Sequence, residues 1–242
     1  WIPAPVQSVG DDQGNAGARK KSVATSALAA LSTMEGDIGV PALIDLAGTG
    51  SIETRRDAVF WLGQNGDPRA RRMLHNVIED ERESGSVRSH AIFSLTHGAD
   101  IPLSEFAYLR TFYSRVDAVE LKEAIIQGMA EDESDGGPWL IGRALDERET
   151  RTLRKSALFW AGQRDETPTS ELVRAYRELR DSALREHAIF VLSQRRDDAA
   201  TDELLRIARE ERDTDLRGKA LFWLAQNDDP RVRKLIADLI LR

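Results

Sequence analysis

The chain has four histidines, His75, His90, His97 and His187, and no cysteine. No two histidines stand four residues apart, the spacing that aims a helical pair at one metal ion. His90 and His97 share a helical face, but two turns separate them, too far to hold one ion comfortably. Without thiols, a disulfide framework, Cys-ligated zinc, iron–sulfur ligation and thiol catalysis are excluded. There is no phosphate-cradling glycine loop, no dinucleotide fingerprint and no Gly-x-Ser-x-Gly elbow. Most of the 41 Asp and Glu fall in turns and on charged helix faces, as Glu79, Asp80, Glu81 and Glu83 do around Arg82, and no acid–base pair stands out. The expectation is a chain without catalytic, metal-binding or cofactor-binding residues. What recurs instead is aromatic and amide chemistry, phenylalanine and glutamine at fixed places in a repeated phrase.

That phrase is Arg55-Arg-Asp-Ala-Val-Phe-Trp-Leu-Gly-Gln64, Arg154-Lys-Ser-Ala-Leu-Phe-Trp-Ala-Gly-Gln163 and Arg217-Gly-Lys-Ala-Leu-Phe-Trp-Leu-Ala-Gln226. Arg88-Ser-His-Ala-Ile-Phe-Ser-Leu and Arg185-Glu-His-Ala-Ile-Phe-Val-Leu are two more copies, residues 121–128 a weaker one and residues 24–31 a degenerate first one. The central alanines are Ala27, Ala58, Ala91, Ala124, Ala157, Ala188 and Ala220, at intervals of 31, 33, 33, 33, 31 and 32 residues. A fixed period of this size marks stacked helical units. Pro41, Pro68, Pro102, Pro138, Pro168 and Pro230 follow 10 to 14 residues after an alanine. Proline suits the first position of a helix, and a preceding Asp67, Thr167 or Asp229 is placed to cap it. Each unit therefore reads as a first helix of about 12 residues, a polar turn and a proline-started second helix. No stretch alternates as a strand does.

The phrase Val/Leu-Arg-x-x-Ala-x-x-x-Leu-Gly resembles the HEAT repeat, in particular the short HEAT-like repeats of bacterial proteins, over residues 20–242. The resemblance implies an all-α fold, a right-handed α-solenoid or superhelix of about seven HEAT-like helical hairpins. It places a tail or linker at 1–18 and the solenoid at 19–242, with units near 19–50, 51–84, 85–116, 117–149, 150–180, 181–212 and 213–242. In such arrays the arginine-bearing helix lines the concave side, and its arginines form a ladder with turn acids. The matching residues are Arg55, Arg88, Arg154, Arg185 and Arg217, with Asp181 and Asp213 as acids within reach. Leu121 stands where an arginine would, so the ladder is expected to break there. The resemblance also brings in two enzymatic relatives, bilin lyases that handle a tetrapyrrole and DNA glycosylases with a basic concave face.

At about 100° per residue, the central alanine and the residues one and four after it form the buried stripe. The opposite face takes the residue two after the alanine, Phe60, Phe93, Phe159, Phe190 and Phe222, with Ile126 in the weak copy. It also takes the residue six after, Gln64, Gln163, Gln194 and Gln226 with His97, and the one before, which includes His90 and His187. Trp61, Trp160 and Trp223 point toward a neighbouring unit. Such a face can hold an extended peptide or a partner helix, rings supplying affinity and amides bonding the backbone. The alternative is that the rings fill gaps between units and the glutamines bond helix-end carbonyls.

The formal charge of −7 opposes general nucleic-acid binding, and the longest apolar run, residues 220–225, is far short of a membrane span. The expected partner is a protein or peptide, with no nucleic acid and no membrane insertion. In the middle of the array, Phe106, Tyr108, Phe112 and Tyr113 crowd one second helix. Phe106, Leu109 and Tyr113 fall on one face and Tyr108, Phe112 and Arg115 on another. The acidic run at 131–135 then reads as a solvated loop. The last helix concentrates Leu235, Ile236, Leu239, Ile240 and Leu241. It is expected to pack inward, with assembly through that helix as the alternative. The 28 Arg against 6 Lys hint at a GC-rich bacterial source, and an exported setting is the preference.

Overall fold

The computed structural model describes residues 25–34, 37–98, 101–226 and 229–240, the side chains of 239 and 240 excepted. The 1–18 tail and Leu241 lie outside them. Among the described residues every regular element is helical and no strand occurs. The helices are α1 (residues 25–32), α2 (Gly39–Thr49), α3 (Ile52–Gly63), α4 (Pro68–Glu79), α5 (Gly85–Thr96), α6 (Leu103–Tyr113), α7 (Val119–Gly128), α8 (Gly136–Leu145), α9 (Arg151–Gln163), α10 (Thr169–Glu178), α11 (Ser182–Ser193), α12 (Asp198–Glu210), α13 (Thr214–Leu224) and α14 (Pro230–Ile240), with a short 3-10 turn, Met129–Glu131, after α7. Two compact units divide the chain, residues 1–102 and 103–242, the division falling within the stretch read from sequence as the third hairpin.

Within each unit the packing is that of an α-solenoid. In the first, α3 touches α5 directly while α2 and α4 cover them. In the second, the first helices run α7 to α9 to α11 to α13, and the second helices α8 to α10 to α12. The stripe is where the period places it: Ala58, Val59 and Leu62 are buried, as are Ala157, Leu158 and Ala161, and Ala188, Ile189 and Leu192. A second helix such as α4 contributes Ala70, Leu74, Val77 and Ile78, one flank at three- and four-residue spacing. Neither helix of a hairpin can bury its flank alone, which is why the units stack.

Each first helix starts on a cap seven residues before its central alanine. Ser51, Ser84, Thr150, Asp181 and Asp213 accept the amides of Thr54, Val87, Leu153, Leu184 and Leu216. In the fourth hairpin the N-cap residue is Ala118, which has no side-chain cap. Its backbone is already extended, at φ −62 and ψ 113. Ala118→Ser is therefore expected to stabilise the protein by about 1 kcal/mol, read as a higher urea midpoint at unchanged slope.

Three expectations change here. The weak copy is one residue out of register: Ala124 is only half-buried, while Leu121, Ile125, Ile126 and Met129 are buried. Its centre is Ile125, so Ile126 belongs to the core and not to the ring-bearing face, where Gln127 stands instead. Second, proline opens its helix only at α4 and α14, where Asp67 and Asp229 accept the Arg69 and Arg231 amides. Pro168 is itself the N-cap residue of α10, and Thr167 does not cap it; its hydroxyl is buried without a partner among the described residues. Pro41 and Pro138 lie inside the first turns of α2 and α8. Third, in the degenerate first copy Ala27 is exposed and Leu28 is the buried residue.

The last helix turns Val232 and Leu235 inward and leaves Ile236 half-buried. Glycine has a specific job between first helices. A Cβ on Gly63 would lie 2.5 Å from the Ser94 carbonyl oxygen, and one on Gly162 would overlap Val191. Both sit five residues after a central alanine, and both let the next first helix approach.

Candidate partner-binding face

The ring side chains of the first helices meet one another from hairpin to hairpin. In the first unit, Phe60 lies 6.3 Å from His90, His90 stacks on Phe93 at 5.9 Å, and Phe93 on His97 at 3.9 Å. In the second, His187 is 5.7 Å from Phe190, Phe190 is 5.4 Å from Trp223, and Phe222 meets Trp223 edge-on. Phe159 makes the same edge contact with Trp160. Phe60, Phe93, Phe159 and Phe190 are half-buried, and Phe222 is 59% exposed. Phe60 and Phe190 thus meet rings of the next hairpin, as gap-filling requires, while keeping part of their surface exposed. His187 reaches across to α9, its Nε2 3.1 Å from the Lys155 carbonyl. A carbonyl only accepts, so this bond fixes the Nε2–H tautomer.

All four glutamines are exposed. Gln64 donates to the His97 carbonyl at 3.5 Å, one hairpin on, and Gln194 to the Ser193 hydroxyl. Gln163 and Gln194 line one cleft of about 400 Å³. Gln194 and Gln226 line another of about 610 Å³, beside Trp223. The glutamine row thereby forms the edge of successive openings in the second unit. No group of three histidines or carboxylates among the described residues is arranged to hold a metal ion.

The arginine ladder differs from the expected one. Arg55 pairs with Glu83 through Nε and Nη2, at 2.7 and 2.8 Å. Arg185 pairs with Glu211 and also donates to the Tyr176 hydroxyl, which itself donates to Glu211 at 2.8 Å. Arg88 and Arg154 instead donate to the carbonyls of Ile78 and Ala144 at the end of the preceding second helix. Arg217 has no side-chain partner among the described residues. Asp181 and Asp213 do not serve these arginines: they are helix caps, Asp181 also taking Arg151 at 2.6 Å and Asp213 taking Ser182. The ladder does not break at Leu121 either, because Lys122 is the true register equivalent of the arginines and bonds Glu149 at 3.1 Å. Burial alone would raise the Glu211 carboxyl, but hydrogen bonds from Arg185, Tyr176 and the Asp213 amide overcome it and hold it at about 2.

Two features escaped the sequence reading. Arg164 and Arg195, each just after a glutamine, form a second ladder on helix-end carbonyls. Arg164 donates to Ala130, and Arg195 to Gly162, Arg164 and Thr167. Apart from Thr167, these carbonyls lie at or just past the end of a first helix, where a cation is favoured. Second, the acidic turn is not simply solvated. Asp132 is fully buried, taking Arg110 and the Ser134 amide and hydroxyl. On α6, Phe106, Leu109, Phe112 and Tyr113 are all buried, so the two expected faces merge into one core. Only Tyr108, half-buried, and Arg115, exposed and 5.0 Å over the Phe112 ring, remain at the surface.

The family model for the PBS lyase HEAT-like repeat matches residues 54–80, the hairpin of α3 and α4. No curated protein sequence matches the chain significantly. Among solved structures, human deoxyhypusine hydroxylase in complex with glycerol is similar at 20% identity, over 93% of this chain and 96% of that one, with a TM-score of 0.39. Escherichia coli YibA is similar at 13% identity, over 97% of this chain and 82% of that one, with a TM-score of 0.53, a likeness of fold. With hairpins recurring at thirty-odd residues and first helices packed on first helices within each unit, the chain has the fold of HEAT-like helical repeats, and residues 54–80 match the PBS lyase HEAT-like repeat.

Proposed function

We propose that the protein is a non-catalytic scaffold that binds an extended peptide segment of a protein partner on the ring-bearing face of its first helices. The observation that supports this best is in the second unit. His187, Phe190, Trp223 and Phe222 form one row, Phe222 keeps 59% of its surface in solvent, and Gln194 and Gln226 open onto the same cleft as Trp223. Rings offer apolar area at little entropic cost, and side-chain amides both donate to and accept from an extended backbone. Phe222 stands on the last first helix described, with no following first helix over it, and so its ring is open to a partner.

The test is selection of displayed ten-residue peptides on the protein at pH 7.5, followed by affinity measurement on purified variants. Phe222→Ala, at an exposed position, is expected to leave folding intact and weaken the selected peptide by about tenfold. Gln194→Ala is expected to weaken it less. Selected peptides whose affinity ignores Phe222, Phe190→Leu and Gln194 alike would overturn the reading. A tetrapyrrole absorption band in the isolated protein, or salt-sensitive binding to duplex DNA, would replace it with one of the enzymatic alternatives.

A further inference from the structure

The turn between α11 and α12 carries Arg196, an exposed arginine with no hydrogen bond or ion pair among the described residues. Its neighbour Arg195 is committed to the carbonyls of Gly162, Arg164 and Thr167. Arg196 stands with Gln194 on the wall between two openings, the cleft of about 400 Å³ beside Gln163 and the one of about 610 Å³ beside Trp223. The acids of the larger cleft are already engaged. Asp197 accepts the Ala200 amide at 2.8 Å and the Thr169 hydroxyl. Asp198 and Asp229 both hold Arg231, at 3.3 and 2.6 Å. Arg196 is therefore the one charged side chain lining that cleft without a bonded partner among the described residues. The smaller cleft differs, because Asp165, exposed and likewise unbonded, lines it together with Arg196. A carboxylate entering there meets a like charge, whereas in the larger cleft every carboxylate is already paired or capped.

We propose that the segment bound on the ring-bearing face carries an acidic residue beside an apolar one, with its carboxylate on Arg196 in the larger cleft and its apolar side chain on the Trp223 and Phe222 rings. This rests on the peptide-binding reading and gives that partner its chemistry. A guanidinium presents a planar fork of donors that matches a carboxylate in two parallel hydrogen bonds. Gln194 and Gln226, which line the same cleft, are left for the segment's backbone. The chain's net charge of −7 opposes an acidic partner at long range, so the preference comes from this local contact. The pair stays open to water, and its effect on affinity is about threefold.

In the experiment, displayed ten-residue peptides are selected at pH 7.5 in parallel on wild type, Arg196→Ala and Arg196→Glu, with circular dichroism as the check on folding. The tightest wild-type peptide is then remade with glutamine or lysine in place of its acidic residue. The wild-type pool should be enriched in Asp or Glu next to an apolar residue, and the Arg196→Ala pool should not. Arg196→Ala should weaken the acidic peptide by about threefold and Arg196→Glu by about tenfold. The lysine peptide should bind Arg196→Glu better than it binds wild type, a rescue that a folding defect cannot imitate. Peptides that depend on Phe222 yet show no acidic preference, or an acidic preference that persists on Arg196→Ala, would overturn the inference and leave the peptide-binding reading standing. Peptides whose affinity ignores Phe222, Phe190→Leu and Gln194 alike would overturn both.

Discussion

Replacing Glu211 with alanine is expected to remove about 3 kcal/mol of unfolding free energy, measured by urea denaturation at pH 7. Its carboxylate, 11% exposed, is shared by the Arg185 guanidinium and the Tyr176 hydroxyl, so truncation strands a cation and a phenol at one junction. Tyr176 is itself fully buried, and an orphaned buried donor loses its water without gaining a partner. The same pair sets an acid limb. Glu211 has a folded value of about 2 against its usual 4.5, so its contribution is complete above 4.5 and is lost as pH falls from there toward 2. Glu211→Gln should flatten the stability profile across that window. A variant as steep as wild type would show that the carboxylate is not the group responsible.

Gly63→Ala is expected to cost about 2 to 3 kcal/mol, although alanine is the better helix former. The new methyl would lie 2.5 Å from the Ser94 oxygen and 2.6 Å from its Cβ. These are main-chain and root atoms that no rotamer change can move, so α3 and α5 must separate. Gly66→Ala is the control: a Cβ there meets nothing within 4 Å. Circular dichroism melts of the two variants should therefore differ by several degrees, and equal melts would mean that the junction is softer than its contacts imply.

The fold was legible because its period is carried by the most constrained residues. Ala58, Ala91, Ala157, Ala188 and Ala220 are all buried at helix–helix contacts that admit no larger side chain without displacement. Where that marker is ambiguous, the register slips. In Ala124-Ile-Ile, alanine and isoleucine are equally good apolar residues, and only the burial of Ile125 and the Lys122–Glu149 pair separate them. The second arginine ladder carried a weak signal, the Gln163-Arg164 and Gln194-Arg195 pairs. Its acceptors are main-chain carbonyls, which have no letter in the sequence. Nor can a run of five charged or polar residues announce that Asp132 alone folds inward; that depends on Arg110, 22 residues earlier. For the ring-bearing face, helical angles placed the phenylalanines and glutamines together, but their sharing of rings between hairpins required the neighbour's position.

The ties described between hairpins reach only from one to the next: Tyr176 to Glu211 spans 35 residues, Arg164 to Ala130 spans 34, and Arg195 to Gly162 spans 33. A chain stitched at such short range assembles by nearest-neighbour steps, with little loop-closure cost and no obligatory starting point. Damage should spread in the same way. A lesion at one seam loosens the two hairpins that share it and fades along the row, so tolerance of sequence change is set locally, seam by seam.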